Sequence, residues 1–218
     1  QLTFPVGSRQ ILVTGLALHN DSVNQKIYAL SDWRNPDTKS NVTGSYNGDS
    51  TTTSVFAQDE ISAADALTVY LGGRLDNWET RGDNFNTVTT LYPTRSVTAF
   101  SPKVSAVYKP IETTTLRFSF GRSFRAPANQ DLYTSSTSRG RTTTGDPNLQ
   151  PERGTTWEIG NELKVGEESK LTATYYETQL SNLIYVKQVT TTAPLLSQRI
   201  NAGKARIRGI ELGATSRL

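Results

Sequence analysis

The chain of 218 residues has no Cys, no Met and one His, and its net charge is +3. The missing Cys excludes a disulfide scaffold, thiol catalysis and Cys-based metal sites, and the charge is too small to point to nucleic acid. The hydrophobic fraction of 35% is low for a globular chain, where nearly half is usual. No run approaches the roughly 18 apolar residues of a membrane helix. That says nothing against a membrane β-barrel, in which only alternate residues face lipid. The sequence begins at Gln1, and we expect a processed or excised piece of a longer protein.

In chain order the dominant period is two, not 3.6. About eight strands are expected, near 9–19, 52–62, 66–78, 97–109, 113–124, 154–165, 169–182 and 199–217. Each is near the roughly nine to eleven residues that a tilted strand needs to cross a bilayer. Leu67, Val69, Leu71 and Leu75 share one face of the third, and Thr68, Tyr70, Arg74 and Asp76 the other. Phe100, Val104, Ala106 and Tyr108 alternate in the fourth, Leu116, Phe118, Phe120 and Phe124 in the fifth. Trp157, Ile159, Leu163 and Val165 do so in the sixth, and Leu171, Ala173 and Tyr175 in the seventh. The last is irregular around Gly203 and Gly209, where a bulge is expected. No helix of useful length is expected.

The connections alternate. Long polar ones, such as residues 19–50, 79–96, 121–154 and 184–197, alternate with the short SAAD, KPIET and GEES. All the long ones then fall at one end of the sheet, as in an outer-membrane barrel with short periplasmic turns and long extracellular loops. Phe100, Phe124 and Trp157 fall at the long-loop ends of apolar faces and Tyr108 at a short-turn end, which are girdle positions. Trp78 has the opposite parity. The expected fold class is therefore all-β: an antiparallel up-and-down transmembrane barrel.

Little points to catalysis. His19 stands alone at a strand end, with no nucleophile or acid marked beside it, and haem capture would want His or Tyr ligands. Asp32, Asp37 and Asp49 do not have the spacing of an EF-hand. Gly72 and Gly73 read as strand flexibility rather than a phosphate loop. No catalytic residue, metal or cofactor is expected.

GRSFRAPANQDLY, followed by GDPNLQPERGTTWEIG, resembles a hallmark of the TonB-dependent outer-membrane receptors. It comprises Gly121, Ser123, Phe124, Arg125, Ala126, Pro127, Leu132, Tyr133, Gly145, Pro147, Leu149, Pro151 and Glu152. SVFAQDEI, LTVYLGGRLDNW, FSPKVSAVYKP and NAGKARIRGIELGA match in kind and order, so the resemblance covers nearly the whole chain. The pattern is most similar to the ferric siderophore branch. The resemblance implies a barrel of about 22 strands around an N-terminal plug, in the outer membrane of a Gram-negative-type cell and driven by the TonB complex through a short box. We expect residues 1–218 to be part of such a barrel domain, with the plug, the box and the first and last strands absent. The hallmark residues are expected to build strand ends and the loop base, with Glu152 pairing with Arg122 or Arg125. The loop middle, TSSTSRGRTTTG, is expected to be loose.

The implied function is uptake of a ferric siderophore. The alternatives are a receptor for haem or cobalamin, or a small outer-membrane β-barrel enzyme. Ferric catecholates are anionic and aromatic, so Arg and aromatic side chains in the long loops suit them. The candidates are Trp33, Arg34, Tyr46, Arg81, Tyr92, Arg95, Tyr133, Arg139 and Arg141. Arg74, Arg117 and Glu162 are expected to face the lumen, toward plug or water.

Overall fold

The computed structural model describes residues 1–216. In chain order its strands are β1 (Leu2–Val6), β2 (Gln10–Leu30), β3 (Lys39–Ala64), β4 (Leu67–Asn86), β5 (Val88–Ile111) and β6 (Thr114–Arg125). Then come β7 (Ser135–Ser138), β8 (Arg141–Thr144), β9 (Glu152–Val165), β10 (Ser169–Gln188) and β11 (Leu195–Ser216). They form one eleven-stranded sheet in the order β1-β2-β3-β4-β5-β6-β9-β10-β11-β8-β7. All neighbours are antiparallel except β8, which lies parallel to β11 through Leu195↔Arg141 to Gln198↔Thr144. A five-residue helix α1 (Asn129–Tyr133) and a 3-10 turn at Pro36–Thr38 are the only helices among the described residues.

The eight expected strands are present, joined by β1 and the β7–β8 hairpin. The expected bounds were too short: β2 to β5, β10 and β11 run on through much of what reads as polar loop. The reason is physical. Membrane-crossing strands alternate apolar and polar side chains, but a hairpin projecting into water has no such constraint. Its hydrophobic alternation fades while its ladder continues. The β4–β5 hairpin is so long that its turn is a single residue, Thr87, at φ 73°. Short turns close the other end, two of them around Gly7 and Gly166 with φ of 65° and 66°.

The register defines the two faces, because directly paired residues of an antiparallel ladder share a side. Ile61, Val69, Ala106, Phe118, Ile159, Tyr175 and Ile210 form one continuous row across seven strands. Leu16, Val55, Leu75 and Phe100 form a second row on the same face. These side chains are largely exposed; Phe100 is 61% and Ile210 70% exposed. A sheet that presents entire rows of large apolar side chains outward is built for a surrounding lipid phase. The opposite, inner face carries Ser54, Arg74, Asp76, Thr80, Arg117 and Glu162. Arg74 Nε donates to Asp76 Oδ1 at 2.7 Å, and Arg117 lies 3.4 Å from Glu162. These lumen-facing charges thus pair with each other.

Trp78 and Phe124 require correction. Trp78 is 1% exposed and lies on the inner face, so its parity belongs to the interior, not to a faulty girdle. Phe124 has the outer-face parity of its ladder partner Arg153, but it lies beyond Gly121, the last residue of β6 paired with β5, and there it packs against the same interior cluster instead of lining the outer girdle. Phe100, Trp157 and Tyr108 keep the outer face, and Trp157 packs on Tyr175 with ring centroids 5.2 Å apart.

Candidate ligand-facing site

The segment between β6 and β9 folds inward over the inner face. Its buried side chains Leu132, Tyr133 and Leu149 pack on Trp78, with Tyr92, Val97, Phe124, Ala126 and Ile184 around them. Tyr133 can lie flat because β3 and β4 offer the paired glycines Gly48 and Gly82 beneath its ring. A Cβ on Gly82 would come within 2.6 Å of the Asn47 carbonyl and 2.7 Å of the ring. Gly145 is similarly constrained, since its Cβ would meet the Asp131 carbonyl at 2.6 Å.

Polar contacts extend this packing. Ser50 Oγ donates to Asn129 Oδ1 at 2.6 Å and lies 3.0 Å from Thr80 Oγ1. The Tyr133 hydroxyl lies 3.0 Å from Thr80 Oγ1, and Asn129 Nδ2 donates to the Asp21 carbonyl at 2.8 Å. Arg95 donates to the carbonyls of Pro147 and Leu149. Asp131 pairs with Arg199 at 3.1 Å, and Gln150 and Asn201 exchange two hydrogen bonds. At the base, Arg125 Nε donates to Glu152 Oε2, while Glu152 Oε1 accepts from the Ile184 amide at 2.7 Å. Arg125, not Arg122, is therefore the partner. Burial alone pushes the Glu152 carboxyl up, but the hydrogen bonds from Arg125 and Ile184, with the Arg125 charge, outweigh it and hold it below the usual carboxylate range.

TSSTSRGRTTTG is not loose: it is the β7–β8 hairpin, added to the end of β11. Gly121 lies in the ladder between Lys103 and Thr156, Ala126 borders the cluster, and Pro151 is buried at the base. Pro127 precedes α1, where Ala128 is the N-cap.

The nine candidate contacts separate into groups. Tyr46, Tyr92, Arg95 and Tyr133 lie together inside, with Tyr92 and Tyr133 ring centroids 5.6 Å apart. Burial raises the Tyr92 phenol, and nearby Tyr46 adds to it. Tyr133 is also raised, chiefly by burial, despite its bond to Thr80. Tyr46 and Tyr133 are buried and Arg95 is occupied by loop carbonyls, so three of the four act here as packing and bracing groups. Trp33 and Arg34 meet at the tip of the β2–β3 hairpin, with the guanidinium 5.2 Å from the ring centroid. Arg139 and Arg141 are exposed on the β7–β8 hairpin. Arg81 stands apart, exposed and 3.9 Å from Asp49. The bracing residues Ser50, Thr80, Asn129, Asp131 and Arg199 were not foreseen. Only the polar character of the loop hinted at them, and nothing in the sequence says which strand they reach.

Outward apolar rows, a polar inner face and an inward-folded loop define a wall section of a receptor-type β-barrel. Residues 2–218 match the family described as TonB dependent receptor-like, beta-barrel, and the chain belongs to that family. No curated protein sequence matches it significantly. Among solved structures, the ferric-catecholate import receptor Fiu of E. coli K12 in its closed form is similar, with 20% identity and TM-score 0.68 over 99% of this chain and 34% of that one. The copper transporter OprC aligns at 21% identity and TM-score 0.72, covering 99% and 34%. A double mutant of the Serratia marcescens hemophore receptor HasR, in complex with HasA and heme, aligns at 18% and 0.65, covering 94% and 39%. The chain spans between about a third and two fifths of the length of these structures.

Proposed function

We propose that this chain is part of the wall of an outer-membrane receptor that imports a ferric siderophore with TonB-derived energy, in a cell of Gram-negative type. The observation that carries the reading is the division of labour at the long-hairpin end. One loop is braced inside by Tyr133, Arg95 and their partners. Trp33–Arg34 and Arg139–Arg141 remain exposed on hairpin tips, where an anionic aromatic complex would arrive. Cation–π and charge-assisted contacts from such residues suit a ferric catecholate. Haem and cobalamin are the competing cargoes. The plug and its TonB contact would be supplied by the rest of the receptor.

The test is radiotracer uptake by cells expressing the complete receptor, with radioactive iron in the ferric siderophores and haem and radioactive cobalt in cobalamin. We expect uptake of one ferric siderophore that stops when the coupling complex is removed. Energy-independent leakage, or uptake of haem or cobalamin alone, would overturn the assignment. Trp33→Ala with Arg34→Ala is expected to raise the half-saturating concentration roughly tenfold, with little change in maximal rate.

A further inference from the structure

The outer face carries a feature that uptake does not use. Along β11, Lys204, Arg206 and Arg208 occupy alternate positions and so point to one side. The next positions in that alternation are Ile210 and Leu212, both strongly exposed on the apolar face. The parity that aims those two at lipid therefore aims the three cations outward as well. Lys204 and Arg206 lie toward the long-hairpin end, on the far side of the Trp157–Tyr175 pair, and Arg208 lies level with Trp157. Register places Arg208 opposite Glu177, Arg206 opposite Gln179 and Lys204 opposite Ser181. The same residues of β10 lie opposite Trp157, Thr155 and Arg153 of β9. A cavity of about 460 Å³ opens there, lined by Arg153, Thr155, Gln179, Ser181, Lys204 and Arg206.

Four cations thus meet one carboxylate. Glu177 accepts from Arg206 Nη2 at 2.5 Å and from Gln179 Nε2 at 2.9 Å. Among the described residues, Arg153, Lys204 and Arg208 have no carboxylate within ion-pair distance. Strands lie about 4.8 Å apart and alternate residues about 6.8 Å apart along a strand. The long side chains of Arg153, Lys204 and Arg206 can therefore converge on one small anion across β10. Toward the short-turn end, on the same face of the same three strands, lies an apolar groove of about 580 Å³ between Leu163, Leu171, Ala173 and Leu212.

We propose that the two cavities form one site for a phosphate-bearing lipid of the surrounding leaflet. The headgroup phosphate sits among Arg153, Lys204 and Arg206, and an acyl chain lies in the apolar groove. Basic pockets at a membrane surface take anionic headgroups in this way, and only a lipid offers phosphate and hydrocarbon in the right vertical order. The proposal rests on the membrane reading of the outer face and not on the choice of cargo.

The test uses the complete receptor in neutral detergent and native mass spectrometry. Dioleoyl phosphatidate should remain bound. Dioleoylglycerol, with the same chains and no phosphate, should not. The triple variant Arg153→Gln, Lys204→Gln, Arg206→Gln should reduce phosphatidate retention at least tenfold, and Arg153→Gln or Lys204→Gln alone a few-fold. Arg153→Lys with Arg206→Lys should retain it, as should Lys109→Gln at the opposite end. Heat-modifiable gel migration verifies that each variant is folded, and the single variants decide if the triple one is not. Equal retention of dioleoylglycerol, undiminished binding by the folded variants, or full displacement by millimolar inorganic phosphate would each overturn the proposal. Failure of the membrane reading itself would show separately, as tolerance of Ile210→Arg.

Discussion

Tyr133 shows how one residue is fixed by what is missing beneath it. Its ring rests where Gly48 and Gly82 leave no side chain, so the sheet supplies a flat socket. Gly82→Ala should cost about 1–3 kcal/mol, the usual penalty of overpacking. Gly203→Ala, where a Cβ would meet nothing within 4 Å, should be nearly silent. Thermal unfolding of the complete receptor, followed by loss of heat-modifiable migration, checks both. Trp78→Ala should be worse, at roughly 3–5 kcal/mol, because the indole is the floor of the cluster. At this scale the sequence was only partly legible. The hallmark gave Leu132, Tyr133 and Leu149 as a group, since motif spacing survives without a structure. It gave no sign that Trp78 is their partner, because that contact joins residues more than fifty positions apart and Trp78 has the parity of an ordinary polar position.

The strands teach a different lesson. Between the girdles every strand was readable, because lipid on one side and water on the other force a strict alternation. Beyond the girdles both faces of a hairpin meet water, so residues 20–30 and 79–96 read as loop although β2, β4 and β5 continue through them. The small β7–β8 hairpin was invisible for the same reason. The loop base between β6 and β9 makes a pH prediction. Glu152 is held below the usual carboxylate range in the folded state, so its contribution is complete at neutral pH. It is lost as pH falls through the folded value, below the ordinary 4.5. Limited proteolysis of residues 135–144 with an acid-tolerant protease, normalised to an unfolded substrate, should accelerate below that range. Glu152→Gln should be cut faster at neutral pH and show no such acceleration.

The whole molecule is a sheet whose two sides have different solvents. Ile210 is 70% and Leu91 is 77% exposed, yet they should respond oppositely to the same change. Ile210→Arg puts a charge on the lipid side and should cost about 2–4 kcal/mol. Leu91→Arg, on the hairpin that projects into water, should stay within about 0.5 kcal/mol. Refolding into lipid vesicles with a denaturant titration measures both; equal, small effects would mean that the outer face does not meet lipid.

The inward loop has a consequence for shape. It leaves the sheet between β6 and β9, yet its contacts reach back to β2, β3, β4 and β5 and forward to β11. Strands at the two flanks of an arc are thereby tied by a chord. A curved wall held only by its neighbour-to-neighbour ladders can flatten or tighten at little cost, whereas one with a chord has its radius set near the rim. The width of the opening would then be encoded less in the strands than in the span from Asn129 to Gln150, and shortening that span would narrow the mouth without altering a single ladder.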